Sequence, residues 1–155
     1  WSNKFQEIHE LKLIIAGEGE DGEKLRNYSN KLCQINPPVF LGEVKPDIVP
    51  QLISSAQVCV LSSRHEASPT IVKEALSSGI PIITSEVGDV KNFIINGKNG
   101  FIVRKNYDEY ANAINYFIDR KIGKEIILNH SKKKLEECSV NFVCSRFNSI
   151  YKALV

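Results

Sequence analysis

The sequence predicts an α/β protein: a parallel sheet covered by helices on both faces, followed by a helical C-terminal tail. Three observations predict it. Short apolar runs recur along the first two thirds of the chain, separated by segments of helical period. The runs are near-continuous rather than alternating, as in strands buried on both faces. From Asn106 onward the strand pattern stops and only helical periodicity remains.

Taken in order, Leu11 to Gly17 reads as a strand and Glu20 to Cys33 as a polar helix with Leu25, Tyr28 and Leu32 on one face. Val39 to Gly42 follows Pro37-Pro38 as a second strand, then Ile48 to Ala56 as a short helix. Val58 to Ser63 is a third strand, Pro69 to Ser78 a helix and Pro81 to Ser85 a fourth strand. A short helix over Val90 to Ile95 and a strand over Gly100 to Val103 complete the alternation. In Tyr107 to Ile118, Tyr110, Ala111, Ile114, Phe117 and Ile118 recur at helical spacing, and Gly123 to Cys138 and Asn141 to Leu154 give two further helices. The expected division is an α/β domain over 1–120 with the helices of 121–155 packed on it.

The chain has 155 residues, 43% hydrophobic and 25% charged, a size and balance that suit one folded domain. With 20 Lys+Arg against 18 Asp+Glu there is no strong field, which argues against a nucleic-acid groove built from bulk charge. No apolar run approaches the roughly 20 residues of a membrane span, and the polar first ten residues do not form a secretory signal. Cys33, Cys59, Cys138 and Cys144 form no CxxC, and His9, His65 and His130 are scattered, so neither a zinc site nor a disulfide scaffold is expected. Cys59 reads as a small buried hydrophobe. The cysteine usage suits a reduced, cytoplasmic protein. From Arg120 to the end, eight Lys/Arg stand against three Asp/Glu. Such a tail can lie at the inner face of an anionic membrane, although a solvated helix face is the plainer reading. The absence of Met leads us to expect a piece of something longer.

Gly17-Glu18-Gly19-Glu20-Asp21-Gly22 spells GxGxxG between a strand and a helix, where a dinucleotide fingerprint would stand. Its chemistry is wrong for that. Glu18, Glu20 and Asp21 would face a pyrophosphate, each like-charge contact unfavourable by roughly 1 kcal/mol. A turn whose acids begin a helix is the preferred reading.

A second stretch carries more. Ser62 to Leu76 leaves the carboxyl end of a strand, crosses a polar loop and enters a helix at Pro69. Ligands of open α/β sheets bind outside the carboxyl ends of strands, and the N–H groups near Thr70 and Ile71 would suit a phosphate there. Glu66 lies in the loop, and Glu74 about 6 Å along the helix from Thr70. Two carboxylates at different depths can flank one elongated ligand and accept from sugar hydroxyls. The plain alternative, equally weighted on spacing alone, is an exposed loop acid and a helix-surface acid beside Lys73.

Ser63, Glu66, Ala67, Pro69, Glu74, Ala75 and Gly79-Ile80-Pro81 stand in one register, with Leu13 to Gly19, Val39 to Gly42, Val87-Gly88 and Asn96 to Val103 around them. In these residues the chain resembles the C-terminal half of retaining GT-B glycosyltransferases of the family 4, or group 1, type, over roughly residues 5 to 120. The resemblance implies a Rossmann-like donor-binding domain. Glu66 would lie at the donor sugar and leaving phosphate as the catalytic position. Glu74 would hold the ribose, the backbone of Thr70 and Ile71 the diphosphate, and Val39 to Gly42 the base. The implied donor set is Glu74, Thr70, Ile71, Ser68, Gly42, Val39 and Gly17.

The implied reaction takes a nucleotide-sugar, UDP-sugars foremost, to a glycan or lipid-linked acceptor with retention, in polysaccharide or glycoconjugate synthesis. Neither metal nor other cofactor is expected. The chain departs from the family pattern at Ala67, where a Gly is usual, and at Asp89 and Asn92, where a second Gly and a Glu are common. The family's domain also opens with a strand ending in Gly-Arg and a following Lys that bind diphosphate. This chain opens inside the next helix, near Asn3-Lys4-Phe5, so residues upstream of Trp1 are expected in the parent protein. The acceptor-binding half would be absent and the fragment alone inactive. Two rivals stand beside this reading: a non-catalytic α/β binding or regulatory module in which Glu66 and Glu74 are dispensable, and an NAD-dependent oxidoreductase built on the GxGxxG.

Overall fold

The computed structural model describes residues 11–33, 36–104 and 106–154; the helix expected near Asn3-Lys4-Phe5 lies outside them. The chain divides into two compact units between Gln51 and Leu52.

In the first unit, β1 (Ile14–Ala16), α1 (Gly22–Leu32) and β2 (Val39–Gly42) follow one another. β1 and β2 run parallel, with Ile14 opposite Val39 and Ile15 opposite Phe40, and the register slips so that Ala16 faces Gly42. The Gly17 amide then donates to the Gly42 carbonyl at 2.7 Å. Asn36 is buried, accepting from Lys12 Nζ at 3.1 Å and donating to the Leu11 carbonyl.

The apolar stripe of α1 does not face inward as its period suggests. Leu25, Tyr28 and Leu32 are 52%, 63% and 53% exposed, while Ser29 and Cys33 are buried. Small side chains at i and i+4 mark the inward side of this helix, and periodicity located the helix without locating that side.

α2 (Val49–Ser55) bridges the boundary. The second unit contains β3 (Cys59–Leu61), α3 (Thr70–Ser77), β4 (Ile82–Ser85), a 3-10 turn at Val90–Asn92, β5 (Gly100–Val103), α4 (Tyr107–Arg120), α5 (Lys124–Glu136) and α6 (Val140–Leu154). Its sheet is parallel in the order β3-β4-β5, with Cys59 opposite Ile82 and Ile82 opposite Gly100. All four residues of β4 are at most 1% exposed, although successive side chains point to opposite faces. Both faces of β4 are therefore covered. The edge strand β3 is less enclosed: Val60 is 44% exposed and Cys59 half-buried, with burial pushing the Cys59 thiol up to about 11.

Val72, Ala75 and Leu76 form the buried side of α3, and α5 packs against that helix. α4 packs on β4 and β5 through Ala111, Ala113 and Phe117. Phe101, Tyr116 and Phe117 meet edge to face with centroids 5.0–5.6 Å apart. The start of α4 is capped by Asn106, whose Oδ1 accepts from the Asp108 amide at 2.9 Å. Glu109, in the first turn, accepts from the Arg104 amide and guanidinium, which hold its carboxyl below the ordinary value.

Asn99 is fully buried and fully bonded. Its amide nitrogen donates to the Phe93 carbonyl and to Ser131 Oγ of α5, and its oxygen accepts from the Ile95 amide. One side chain thus joins the turn after β4 to the C-terminal helices. α6 has no buried residue. No helix of the described residues is long and apolar enough to cross a membrane.

Candidate functional site

Three local contacts hold the carboxyl end of β3 and the loop that follows it. Ser85 Oγ donates to the Ser63 carbonyl at 2.6 Å, just past β3. Tyr110 of α4 donates to the Leu61 carbonyl at 3.2 Å; burial raises its phenol pKa, opposed by hydrogen bonding with Ser85. Third, Gly88 lies so close to the loop that an added Cβ would stand 2.3 Å from the Ala67 carbonyl oxygen and 2.9 Å from that of Glu66. Its φ of +50° is left-handed, which favours glycine for a second reason.

These contacts leave an open groove lined by Arg64, His65, Glu66, Ala67, Glu86, Val87 and Gly88. Glu66 is exposed in it. Glu74 is exposed on α3 and is not part of that lining. Pro69 caps the helix from outside in an extended conformation, so α3 starts at Thr70, one residue later than its sequence suggested. The Thr70 and Ile71 amides precede the Val72 N–H, which bonds to the Pro69 carbonyl at 3.3 Å. Loop acid, first-turn amides and helix acid therefore succeed one another from the carboxyl end of β3. Ala67, where the family pattern has Gly, is exposed, and its carbonyl oxygen faces Gly88 of the opposite loop.

Lys73 does not pair with Glu74. Its ammonium donates to Ser68 Oγ at 2.5 Å, lies 3.7 Å from Asp89 Oδ2 and 4.7 Å from the Phe93 ring centroid. Ser68 in turn donates to Asp89 at 2.8 Å. This network was not legible from spacing, since its members come from three segments. Arg64, His65 and Glu86 come to one groove only through the fold.

Gly17, Val39 and Gly42 belong to the first unit. Gly17 is exposed with φ +112°, Val39 is 38% exposed, and Gly42 is buried with φ +71°. Glu18 turns its carboxylate toward Gly42, with Oε1 2.9 Å from where a Cβ would stand. An acid thus stands at the turn following β1.

Comparison with known proteins agrees in both sequence and fold. The model of the family described as glycosyl transferases group 1 matches residues 2–134. An uncharacterized glycosyltransferase of Methanocaldococcus jannaschii is 31% identical over 96% of this chain and 39% of its own length. Spore coat protein SA of Bacillus subtilis is 30% identical over 85% of this chain and 37% of its own. The chain spans about two fifths of the length of these curated relatives. Among solved structures, the lipopolysaccharide outer core galactosyltransferase WaaB superposes with a TM-score of 0.76 at 25% identity, covering 93% of this chain and 41% of that one. Anabaena HepE in complex with UDP-glucose gives 0.77 at 23% identity, covering 92% and 41%, which bears on the fold alone. These parallel sheets flanked by helices are of the Rossmann-like GT-B kind, with the helical C-terminal segment in place, and the chain belongs to the glycosyl transferases group 1 family.

Proposed function

We propose that this chain is the donor-binding part of a retaining glycosyltransferase that takes a sugar from a nucleotide-sugar to a glycan or lipid-linked acceptor. One observation carries the reading: in a chain of this family, Glu66, the Thr70 and Ile71 amides and Glu74 follow one another from the carboxyl end of β3. Glu74, exposed on α3, accepts from the ribose hydroxyls of the donor, since a carboxylate only accepts and hydroxyls donate. The Thr70 and Ile71 amides at the positive end of α3 meet the diphosphate. Glu66, in the groove, orients the donor sugar. As the diphosphate leaves, its charge is met by fixed amide dipoles rather than a resident metal. UDP-sugars are the first donors to try, and polysaccharide or glycoconjugate synthesis in the cytoplasm, beside a membrane, is the setting the resemblance implies. The acceptor is assigned to the remainder of a longer protein, so the chain alone is expected to turn nothing over.

Melting curves with UDP, GDP, ADP, their sugar conjugates and NAD test the reading. A ligand at 100 times its dissociation constant stabilises by about 2.7 kcal/mol. Stabilisation by one nucleoside diphosphate and its sugar conjugate, lost in Glu74→Gln, is the expected result. Silence across the panel, both here and in a version extended upstream of Trp1, overturns it.

A further inference from the structure

Ser68, Lys73 and Asp89 form a closed polar cluster whose members come from the loop after β3, the first turn of α3 and the turn after β4. The cluster closes over both ends of the segment 68–73, which contains the Thr70 and Ile71 amides, and Glu66 lies two residues before it. Asp89 is an odd choice for stability alone. Its Oδ1 is buried without a hydrogen-bond partner, while its Oδ2 serves Ser68 and Lys73. An unpartnered buried carboxylate oxygen is destabilising, and an apolar pair would avoid the penalty. The neighbouring Gly88 leaves no room for a Cβ against the Glu66 and Ala67 carbonyls, so Asp89 stands next to the point where the two loops are closely apposed.

We propose that Asp89 and Lys73 are positioning residues: through Ser68 they set the Glu66 loop in the arrangement that receives the sugar end of the donor. The proposal rests on the donor-binding reading. In it, Lys73 is not a phosphate ligand; its ammonium is engaged by Asp89 and lies over the Phe93 ring, 4.7 Å from its centroid.

Two measurements on the same variants decide it: Asp89→Ala, the conservative Asp89→Asn, Ser68→Ala and Lys73→Met. The first is hydrogen exchange without ligand. Asp89→Ala should speed exchange in residues 64–68 at least tenfold and leave residues 111–117 of α4 unchanged. Asp89→Asn, which can still accept from Ser68, should recover part of the protection. No local change in any variant overturns the cluster as a positioning device, whatever the chain binds. The second is titration with UDP and UDP-glucose. Asp89→Ala should weaken UDP-glucose at least tenfold while weakening UDP less than threefold, whereas Glu74→Gln should weaken both alike. Tighter UDP binding in Asp89→Ala would mean that Lys73 is a masked phosphate ligand and overturns the proposal, as do equal affinities in all variants. If the unaltered chain, or its upstream-extended version, binds neither ligand, the donor reading falls and the positioning role with it, while the exchange experiment still reports whether the cluster orders the loop.

Discussion

Gly88 is a residue at which one methyl group should have a large local effect. An alanine there must hold a left-handed backbone, costing about 1–2 kcal/mol, and place its Cβ 2.3 Å from a carbonyl oxygen. Gly88→Ala is expected to lower stability by about 2–4 kcal/mol, read as a shifted denaturation midpoint. An unchanged midpoint would mean that the two loops are less closely apposed. Cys59 gives a pH signature. Its thiol titrates near 11 in the fold against an ordinary 9.0. Between those values the unfolded chain has lost a proton that the folded one retains, so stability is full below pH 9 and declines as pH rises toward 11, by at most about 2–3 kcal/mol. A Cys59→Ala chain should lack that decline. In alkylation at pH 8, Cys138 and Cys144, both exposed, should react well before Cys59.

At the scale of elements, α6 is the one whose removal should matter least to the unit that contains it. None of its residues is buried, and Val140, Phe147, Tyr151 and Leu154 are each more than half exposed. Ending the chain at Glu137 is expected to change stability by no more than about 1 kcal/mol, measured by thermal melting; a larger loss would show that its apolar stripe is engaged. The existence of α6, α4 and β4 was plain in the sequence, because each has a strong period or a continuous apolar run. The side of α1 that turns inward was not. Ser29 and Cys33 are too small and polar to outweigh Leu25 and Tyr28 in any periodicity argument. The same limit applies at the site. Glu66 and Glu74 could be picked out because their spacing along one loop and helix is local. The Lys73–Asp89 pair could not, since it depends on two loops meeting at Gly88.

Across the whole molecule, burial is unevenly shared. Val72, Leu76, Ile80, Ile82, Ile83, Val90 and Ile127, each at most 2% exposed, all lie in the second unit. The described buried side chains of the first are Ser29, Cys33 and Asn36. Apolar burial stabilises by about 25 cal/mol per Å², so the second unit should open last. Native-state hydrogen exchange should find the slowest amides in β4 and much faster ones in β1 and β2; equal protection in the two sheets would contradict this. The burial of Asn99 also bears on how the protein ages. The chain has two Asn-Gly steps, Asn96-Gly97 and Asn99-Gly100, and such steps lose ammonia when the glycine nitrogen attacks the side-chain carbonyl carbon. Asn99 is immobilised by three hydrogen bonds away from water, whereas Asn96 is exposed and, among the described residues, accepts a single side-chain hydrogen bond, from the Ile102 amide. On long storage, chemical damage should therefore collect at Asn96, on the surface, and spare the residue whose conversion to a carboxylate would put a charge in the core.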